Sequence, residues 1–215
     1  MQTDFRGLET MDTQYDKEPM EGYVGVKYDY TCISDEIPGE ALDNIRGFNR
    51  VSALLKENGM TYRNAGNISI RSQGGFLITG SGVYLDDIGL EDLVKVLNYD
   101  LEEFFLTYTG MRPPSSEAFL HSLVYDARPD VECIIHVHDP LTAFCSPAKV
   151  ETTPVEYDYG TPDLAVLCLN TLRSENIVFL RNHGFVAVGK DMDEALEILL
   201  ECHSELEQQR TAKPE

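Results

Sequence analysis

A short apolar segment that ends in two histidines constrains this chain more than any other feature. Residues 131–137 read Val-Glu-Cys-Ile-Ile-His-Val, and His138 follows directly. Apolar runs of this length are typical of a buried strand, and side chains two positions apart in a strand point to the same face. We therefore predict that His136 and His138 converge on one point where a strand ends.

A second group of functional residue types lies just before this strand. The sequence Pro-Pro-Ser-Ser-Glu at 113–117 begins a helix that we predict over 115–125. Unpaired backbone N–H groups and the helix dipole favour an anion such as phosphate at a helix start, here beside Ser115 and Ser116. Together with the carboxylate of Glu117 and the histidine pair, this anion site indicates an active site.

A third histidine strengthens the metal interpretation. Two histidines on one face of a strand can also be satisfied structurally. However, His183 lies in Asn-His-Gly between predicted strands at 176–180 and 185–188, where a side chain can reach across a sheet edge. Three neutral imidazoles with one open position are a recurrent ligand set of catalytic Zn²⁺.

The two other histidines are expected to lie outside the ligand set. His203 falls on the apolar face of the last predicted helix, which favours packing or an oligomer contact over ligation. His121 follows Glu117 by one helical turn and shares its face, which favours a role in orienting a neighbouring group. Glu117 itself could be only a favourable first-turn carboxylate, but near a metal-bound carbonyl it would act as a base.

Two clusters of small residues flank a predicted hairpin whose strands cover 67–71 and 76–79. Asn-Ala-Gly-Asn at 64–67 precedes it and Thr-Gly-Ser-Gly at 79–82 follows it. Glycine lets backbone N–H groups approach a ligand closely. Each cluster alone is typical of a simple turn, but the two together favour a binding rim.

Strand and helix patterns alternate along the rest of the chain, and the length of 215 residues suits one domain of α/β or α+β type. Residues 1–38 form a separate acidic arm with a predicted strand at 23–30, and residues 39–215 form the domain. Further strands are predicted at 93–97 and 104–108, and further helices at 45–55, 162–173 and 192–209.

Composition excludes some partners and indicates a compartment. The formal charge of −20 argues against nucleic acid and anionic membranes, which both attract Lys and Arg. Five scattered cysteines without a Cys-x-x-Cys pair indicate buried free thiols in a reducing compartment. The N-terminus has no hydrophobic signal segment, and no apolar run approaches about 18 residues. The sequence therefore predicts a soluble cytoplasmic protein.

The motifs, in their order, resemble those of the class II aldolase/adducin family. They are Gly-Asn-Ile-Ser at 66–69, Ile-Thr-Gly-Ser-Gly at 78–82, Pro-Ser-Ser-Glu at 114–117, His-Val-His at 136–138 and Asn-His-Gly-Phe at 182–185. The resemblance covers roughly residues 42–206. It implies one three-layer α/β/α domain around a mainly antiparallel sheet, and a homotetramer with active sites between subunits.

The resemblance also implies roles for individual residues. A metal, generally Zn²⁺ with another divalent transition metal as the alternative, is held by His136, His138 and His183, and Glu117 is the acid/base that can also touch the metal. The residues that hold a substrate phosphate are then Asn67, Ser81, Gly82, Ser115 and Ser116.

The implied reaction is the cleavage of a small ketose 1-phosphate to dihydroxyacetone phosphate and an aldehyde. The loop after His138 is shorter than in the family's aldolases, so either Tyr157 or Tyr159, or neither, corresponds to their catalytic tyrosine. Gly80 replaces the usual proline of the phosphate rim, and the arm before Pro38 has no counterpart in the short aldolases. A sugar-phosphate dehydratase, a 4-epimerase and a non-catalytic binding module like the adducin head remain open alternatives.

Overall fold

The computed structural model describes residues 25–61 and 63–212, which form eight strands and four α-helices. The strands are β1 (Asp29–Ser34), β2 (Asn67–Ser72), β3 (Gly75–Thr79), β4 (Leu93–Asp100), β5 (Phe105–Thr109), β6 (Cys133–Val137), β7 (Ile177–Leu180) and β8 (Gly184–Gly189). The helices are α1 (Gly39–Glu57), α2 (Ala118–Ala127), α3 (Pro162–Leu172) and α4 (Met192–Ala212).

The eight strands form one sheet in the order β1-β5-β4-β3-β2-β6-β8-β7. β1 pairs with β5 in parallel, and every other neighbouring pair is antiparallel. The predicted mainly antiparallel sheet is therefore confirmed. The strand order brings β2 and β8 to the two sides of β6, the strand that carries the first histidine pair.

Helices cover both faces of the sheet, which confirms the predicted three-layer α/β/α fold. α1 and α4 pack on one face, where Phe48 and Leu199 join Ile135 and Val137 of β6 in one buried cluster. On the other face, α2 and α3 form a second cluster that contains Ile134. The alternation of side chains along β6 places His136 on the same face as Ile134, beneath α2 and α3.

The segment before α1 differs from the prediction. A strand was expected at 23–30, but β1 begins at Asp29 and continues to Ser34; residues 23 and 24 lie outside the described residues. The strand forms where β5 offers partners, beginning with the Asp29–Phe105 pair, and Gly25 lies outside it with φ of +73°. Local alternation cannot reveal the position of such a parallel partner, so the predicted bounds were wrong.

The other predicted elements occur, with bounds that differ by a few residues. The predicted helix over 115–125 begins only at Ala118, with Glu117 as its N-cap residue. The division of the chain at residue 38 stays a prediction; β1 precedes that boundary and is one of the two edge strands of the sheet. The first 24 residues of the predicted acidic arm lie outside the described residues.

Two further sequence expectations concern cysteines and membrane spans. All five cysteines are free thiols, of which Cys32 is exposed and four are buried. Within the described ranges, no helix combines the length and apolar character needed to cross a bilayer.

Candidate metal centre and its cleft

Three imidazoles meet at the end of β6. Nε2 of His136 lies 3.0 Å from Nε2 of His138. The ring centroid of His183 lies 5.0 Å from that of His136 and 4.6 Å from that of His138. One ligand atom from each histidine and from Glu117 can be chosen so that all four lie within 4.8 Å of one another. The structure therefore brings the four residues that were singled out as metal site and base into one cluster.

Strand pairing explains this convergence. β6 and β8 are antiparallel, and Val137 pairs with Phe185. His183 lies in the turn that joins β7 to β8, where its N–H donates to the carbonyl of Leu180 at 3.0 Å. The turn thus delivers the third imidazole to the end of the strand that carries the other two.

The orientation of His136 is fixed by the neighbouring strand. Nδ1 lies 2.8 Å from the carbonyl oxygen of Phe185, which can only accept, so Nδ1 carries a proton and donates it. His136 is completely buried. In the neutral imidazole, Nε2 then presents its lone pair to the cluster, as a metal ligand requires.

Glu117 faces the histidines from the start of α2. Its Oε2 lies 3.0 Å from Nε2 of His136, and its Oε1 lies 3.4 Å from Nε2 of His183. The carboxylate is only 5% exposed. Among the described residues, Oε1 accepts no hydrogen bond although it is buried. A buried carboxylate oxygen without a partner costs free energy, so its position calls for a cation or a proton donor.

The pKa of each ionisable side chain in the cluster depends on the charges of the others. Burial opposes ionisation of Glu117, but the charges of His136 and His183 outweigh it and hold the pKa of that carboxyl well below its usual range. Burial also opposes charging of His136, while the attraction and hydrogen bond of Glu117 raise its pKa overall. Burial and the repulsion of His136 and His183 lower the pKa of His138 to about 3. A divalent cation would displace the proton that Glu117 favours on His136, because a metal ligates the neutral imidazole and the ionised carboxylate.

The donor set fits a divalent metal. Imidazole nitrogens and one carboxylate are ligands that Zn²⁺ accepts, and three histidines leave a position for substrate. The buried carboxylate of Glu117 supports this fit, because a cation held by the three nearby histidines would offset the cost of burying its negative charge.

A series of buried hydrogen bonds leads from Glu117 into the core. Nδ2 of Asn67 donates to Oε2 of Glu117 at 3.0 Å, and Oδ1 of Asn67 lies 2.5 Å from Nε2 of His121. Nδ1 of His121 lies 2.7 Å from Oγ of Ser69, which lies 2.8 Å from the hydroxyl of Tyr125. His121 is thus outside the ligand cluster and contacts Asn67.

A cleft of about 160 Å³ opens over the cluster. It is lined by Asn64, Ala65, Gly66, Asn67, Gly80, Ser81, Gly82, Ser115, Ser116, Glu117, His138, Tyr159 and His183. All five residues named for phosphate binding are among them. Two glycine clusters and the double serine, which are distant in sequence, therefore share one rim.

Backbone hydrogen bonds explain why two of these loops meet. The N–H of Ser81 donates to the carbonyl of Pro113 at 2.8 Å, and the N–H of Ser115 donates to the carbonyl of Thr79 at 3.1 Å. Gly80 and Pro114 form an isolated bridge between these bonds. The glycine loop after β3 is thereby joined to the loop before α2.

Tyr159 is a cleft residue that the sequence left undecided. Nζ of Lys27 donates to its carbonyl at 2.7 Å and lies 4.0 Å from the centroid of its ring. Tyr157 lies 42% exposed. Lys27, which contacts Tyr159, is far away in sequence and precedes β1, so no local pattern could have identified this contact.

The remaining histidine contacts the segment that follows the metal cluster. Nδ1 of His203 lies 2.7 Å from Oδ2 of Asp139, whose other oxygen accepts the N–H of Leu141 at 2.8 Å. The hydrogen bond to Asp139 raises the pKa of His203. His203 therefore joins α4 to the residues after His138.

The three-layer fold and the cluster of histidines with a carboxylate match one family of proteins. The chain belongs to the Class II Aldolase and Adducin N-terminal domain family, whose model matches residues 48–209. The resemblance noted from the motifs is thus confirmed.

Particular relatives fall into two groups. The 5-methylthioribulose-1-phosphate/5-deoxyribulose-1-phosphate aldolase of Rhodospirillum rubrum is 26% identical over 188 residues, which is 80% of this chain and 82% of the relative. Human beta-adducin is 34% identical over 142 residues, 58% of this chain but only 19% of the adducin. A solved structure described as L-fuculose 1-phosphate aldolase has a TM-score of 0.65 at 24% identity, over 80% of this chain and 89% of that one, and supports the fold.

Proposed function

We propose that this protein is a metal-dependent aldolase that cleaves a small ketose 1-phosphate to dihydroxyacetone phosphate and an aldehyde. The observation that carries the proposal is the buried carboxylate of Glu117 among three imidazoles, at the base of a cleft rimmed by glycine and serine. The Rhodospirillum relative, whose name describes an aldolase of ketose 1-phosphates, supports the reaction type.

His136, His138 and His183 would hold the metal, with Glu117 close enough to join them. We propose Zn²⁺, because imidazole nitrogen is among its usual ligands. When bound, such a cation supplies Lewis-acid polarisation of a substrate carbonyl.

Glu117 is the group that moves the proton. In the cleavage direction Glu117 takes, directly or through a water in the cleft, the proton that the C4 hydroxyl releases as it becomes the aldehyde, and the electrons of the C3–C4 bond remain on the dihydroxyacetone phosphate half. Glu117 then gives a proton to the carbon that was C3, and in the reverse reaction removes it.

The rim would bind the phosphate. Ser81 and Gly82 line the cleft together with Ser115 and Ser116, which lie just before α2. Hydroxyl and backbone N–H donors at such a place bind an anion without a cationic side chain, which suits a chain of net charge −20. Asn67 also borders the cleft, although its side chain contacts Glu117.

The aldehyde half of the substrate would lie toward Tyr159. Of the two tyrosines left open by the sequence, Tyr159 lines the cleft, whereas Tyr157 is exposed and is not among the lining residues. We also propose a cytoplasmic homotetramer with sites between subunits. Exposed apolar side chains in the segment that follows His138 support a subunit contact beside the cleft; they are Phe144, Val155 and Tyr157.

Proton exchange tests the proposal directly. The protein as purified and a chelator-treated sample are incubated with dihydroxyacetone phosphate in D₂O, and deuterium at the hydroxymethyl carbon is followed by NMR. Chelator-sensitive exchange, restored by Zn²⁺, is the expected result. Bound zinc without exchange would favour a dehydratase, an epimerase or an unphosphorylated substrate instead.

Substitution of one ligand provides a second test. His136→Ala should lose both metal and exchange, with metal content measured by atomic emission and folding by circular dichroism. Full turnover in this variant would exclude the assigned centre. A wild-type protein that takes up no metal and exchanges no deuterium would favour a binding module of the adducin type.

A further inference from the structure

The hydrogen bonds behind Glu117 run in a single direction. The carboxylate only accepts, so the amide of Asn67 directs its NH₂ to Glu117 and its oxygen to His121. Nε2 of His121 must then carry the proton, and Nδ1 accepts from the hydroxyl of Ser69. Ser69 in turn accepts from Tyr125. Each member therefore has one available role, and the last donor is a phenol.

Secondary structure places the members in register. Asn67 and Ser69 are two positions apart on β2 and share its face. Glu117, His121 and Tyr125 are spaced by four residues along α2, so they lie on one side of the helix. Successive members of the hydrogen-bonded series therefore come in turn from α2 and from β2.

The series is closed to water. Asn67 is 2% exposed, Ser69 and His121 are 0% exposed and Tyr125 is 4% exposed. Phe76 packs beside it, with its ring centroid 5.2 Å from that of Tyr125 and 6.5 Å from that of His121. Burial lowers the pKa of His121 to about 3 and raises that of Tyr125 well above its ordinary value. Both side chains thus keep the protonation states that the series needs.

The two carboxylate oxygens of Glu117 consequently differ in their hydrogen bonding. Oε2 accepts from Asn67, whereas Oε1 is buried without a hydrogen-bond partner in the described part of the chain. We propose that Tyr125, Ser69 and His121 are positioning residues that act through Asn67 on Oε2 and leave Oε1 to exchange the substrate proton. The inference rests on the proposed function, which supplies the reaction in which Glu117 moves that proton.

The matched variants are His121→Phe, Ser69→Ala and Tyr125→Phe, each compared with the zinc-loaded wild-type protein. Because these side chains lie behind Asn67 and away from the cleft, their loss should lower kcat for deuterium exchange and leave KM for dihydroxyacetone phosphate unchanged. Loss of a group that orients a catalytic residue typically costs about 10–100-fold. His121→Gln retains an amide N–H near the position of Nε2 and should recover part of the rate lost in His121→Phe.

Ser122→Ala is the control for removal of a buried hydroxyl. Ser122 also lies on α2 and is buried, but its Oγ donates to the carbonyl of Ala118 at 2.9 Å, outside the series. This variant should retain the wild-type kcat. The inference would be overturned if His121→Phe kept the wild-type kcat. It would also be overturned if His121→Phe and His121→Gln had the same kcat. A raised KM with unchanged kcat would also overturn it, because it would make substrate binding the role of the series.

The tautomer of His121 separates this inference from the proposed function. Nitrogen NMR of ¹⁵N-histidine-labelled zinc protein should show His121 protonated on Nε2 and not on Nδ1. Protonation on Nδ1 would reverse the series and overturn the inference, whatever the activity. If the wild-type protein exchanges no deuterium, the proposed aldolase fails. The contact of the series with Glu117 is then tested by the NMR chemical shift of the Nε2 proton of His121. A change of this shift in Glu117→Gln supports the positioning of Glu117, and an unchanged shift refutes it.

Discussion

Gly184 begins β8 beside His136 of the metal cluster, and its replacement by alanine should disturb the site. A Cβ at this position would lie 3.0 Å from Cε1 of His136 and in collision with the carbonyl oxygen of Val137. Carbon atoms normally stay about 3.3 Å or more from a carbonyl oxygen, so β6 and β8 would have to move apart by up to about 1 Å. Metal sites tolerate changes of only about 0.2 Å in ligand distances.

The expected cost can be worked out from this overlap. Overpacking of a filled interior costs about 1–3 kcal/mol. For a chain of this size, that loss lowers Tm by about 2–12 °C. Since His136 also binds Phe185 of β8 through Nδ1, separation of the strands would turn its ring, and zinc affinity should fall by about 10–100-fold.

Competition with a chromophoric chelator would measure zinc affinity, and calorimetry would measure Tm. Gly39→Ala is the control, because a Cβ on this first residue of α1 would meet no atom within 4 Å. It should leave zinc affinity unchanged. If Gly184→Ala matched this control in both measurements, the strands could separate without moving His136, and the reasoning would be refuted.

Three further predictions concern the base, a buried ion pair and the core. Glu117→Gln should keep zinc bound but slow deuterium exchange by about 10²-fold or more; an unchanged rate would exclude Glu117 as the base. Because the pKa of His203 is raised by Asp139, this pair stabilises the fold fully below about pH 6.5 and loses that contribution as pH rises through the raised pKa. The Tm difference between wild type and His203→Gln should thus be larger at about pH 6 than at about pH 9, and an equal difference would contradict the argument. Phe48→Ala removes a side chain that is 0% exposed and should cost about 3–5 kcal/mol in urea unfolding, whereas a loss below about 1 kcal/mol would show that the core can close the cavity.

Local periodicity accounts for the parts of the fold that were predictable. Alternation along β6 requires His136 and His138 to share a face, and the glycine pair at 74–75 suits the turn between β2 and β3. Amphipathic stripes likewise identified α3 and α4 to within three residues, and α1 apart from its first six residues. These features depend only on residues that are close in the chain, so they can be predicted from the sequence before the fold is known.

Distant contacts account for what was missed. β1 exists where β5 offers a parallel partner, and Tyr159 lines the cleft beside Lys27. The contact of Asn67 with Glu117 joins two residues fifty positions apart. No periodicity in the sequence reports such pairs.

The sequence by itself thus determined which chemical groups are available and which of them share a strand or helix face: the histidine pair on β6, Glu117 with His121 on α2, and the two glycine clusters. The tertiary structure alone decided which face meets which. Pairing of β6 with β8 brings His183 to the histidine pair, and pairing of β6 with β2 sets Asn67 between Glu117 and His121. The physical reason is that side-chain direction follows from local backbone geometry, whereas strand order and helix packing result from burial of the whole apolar surface.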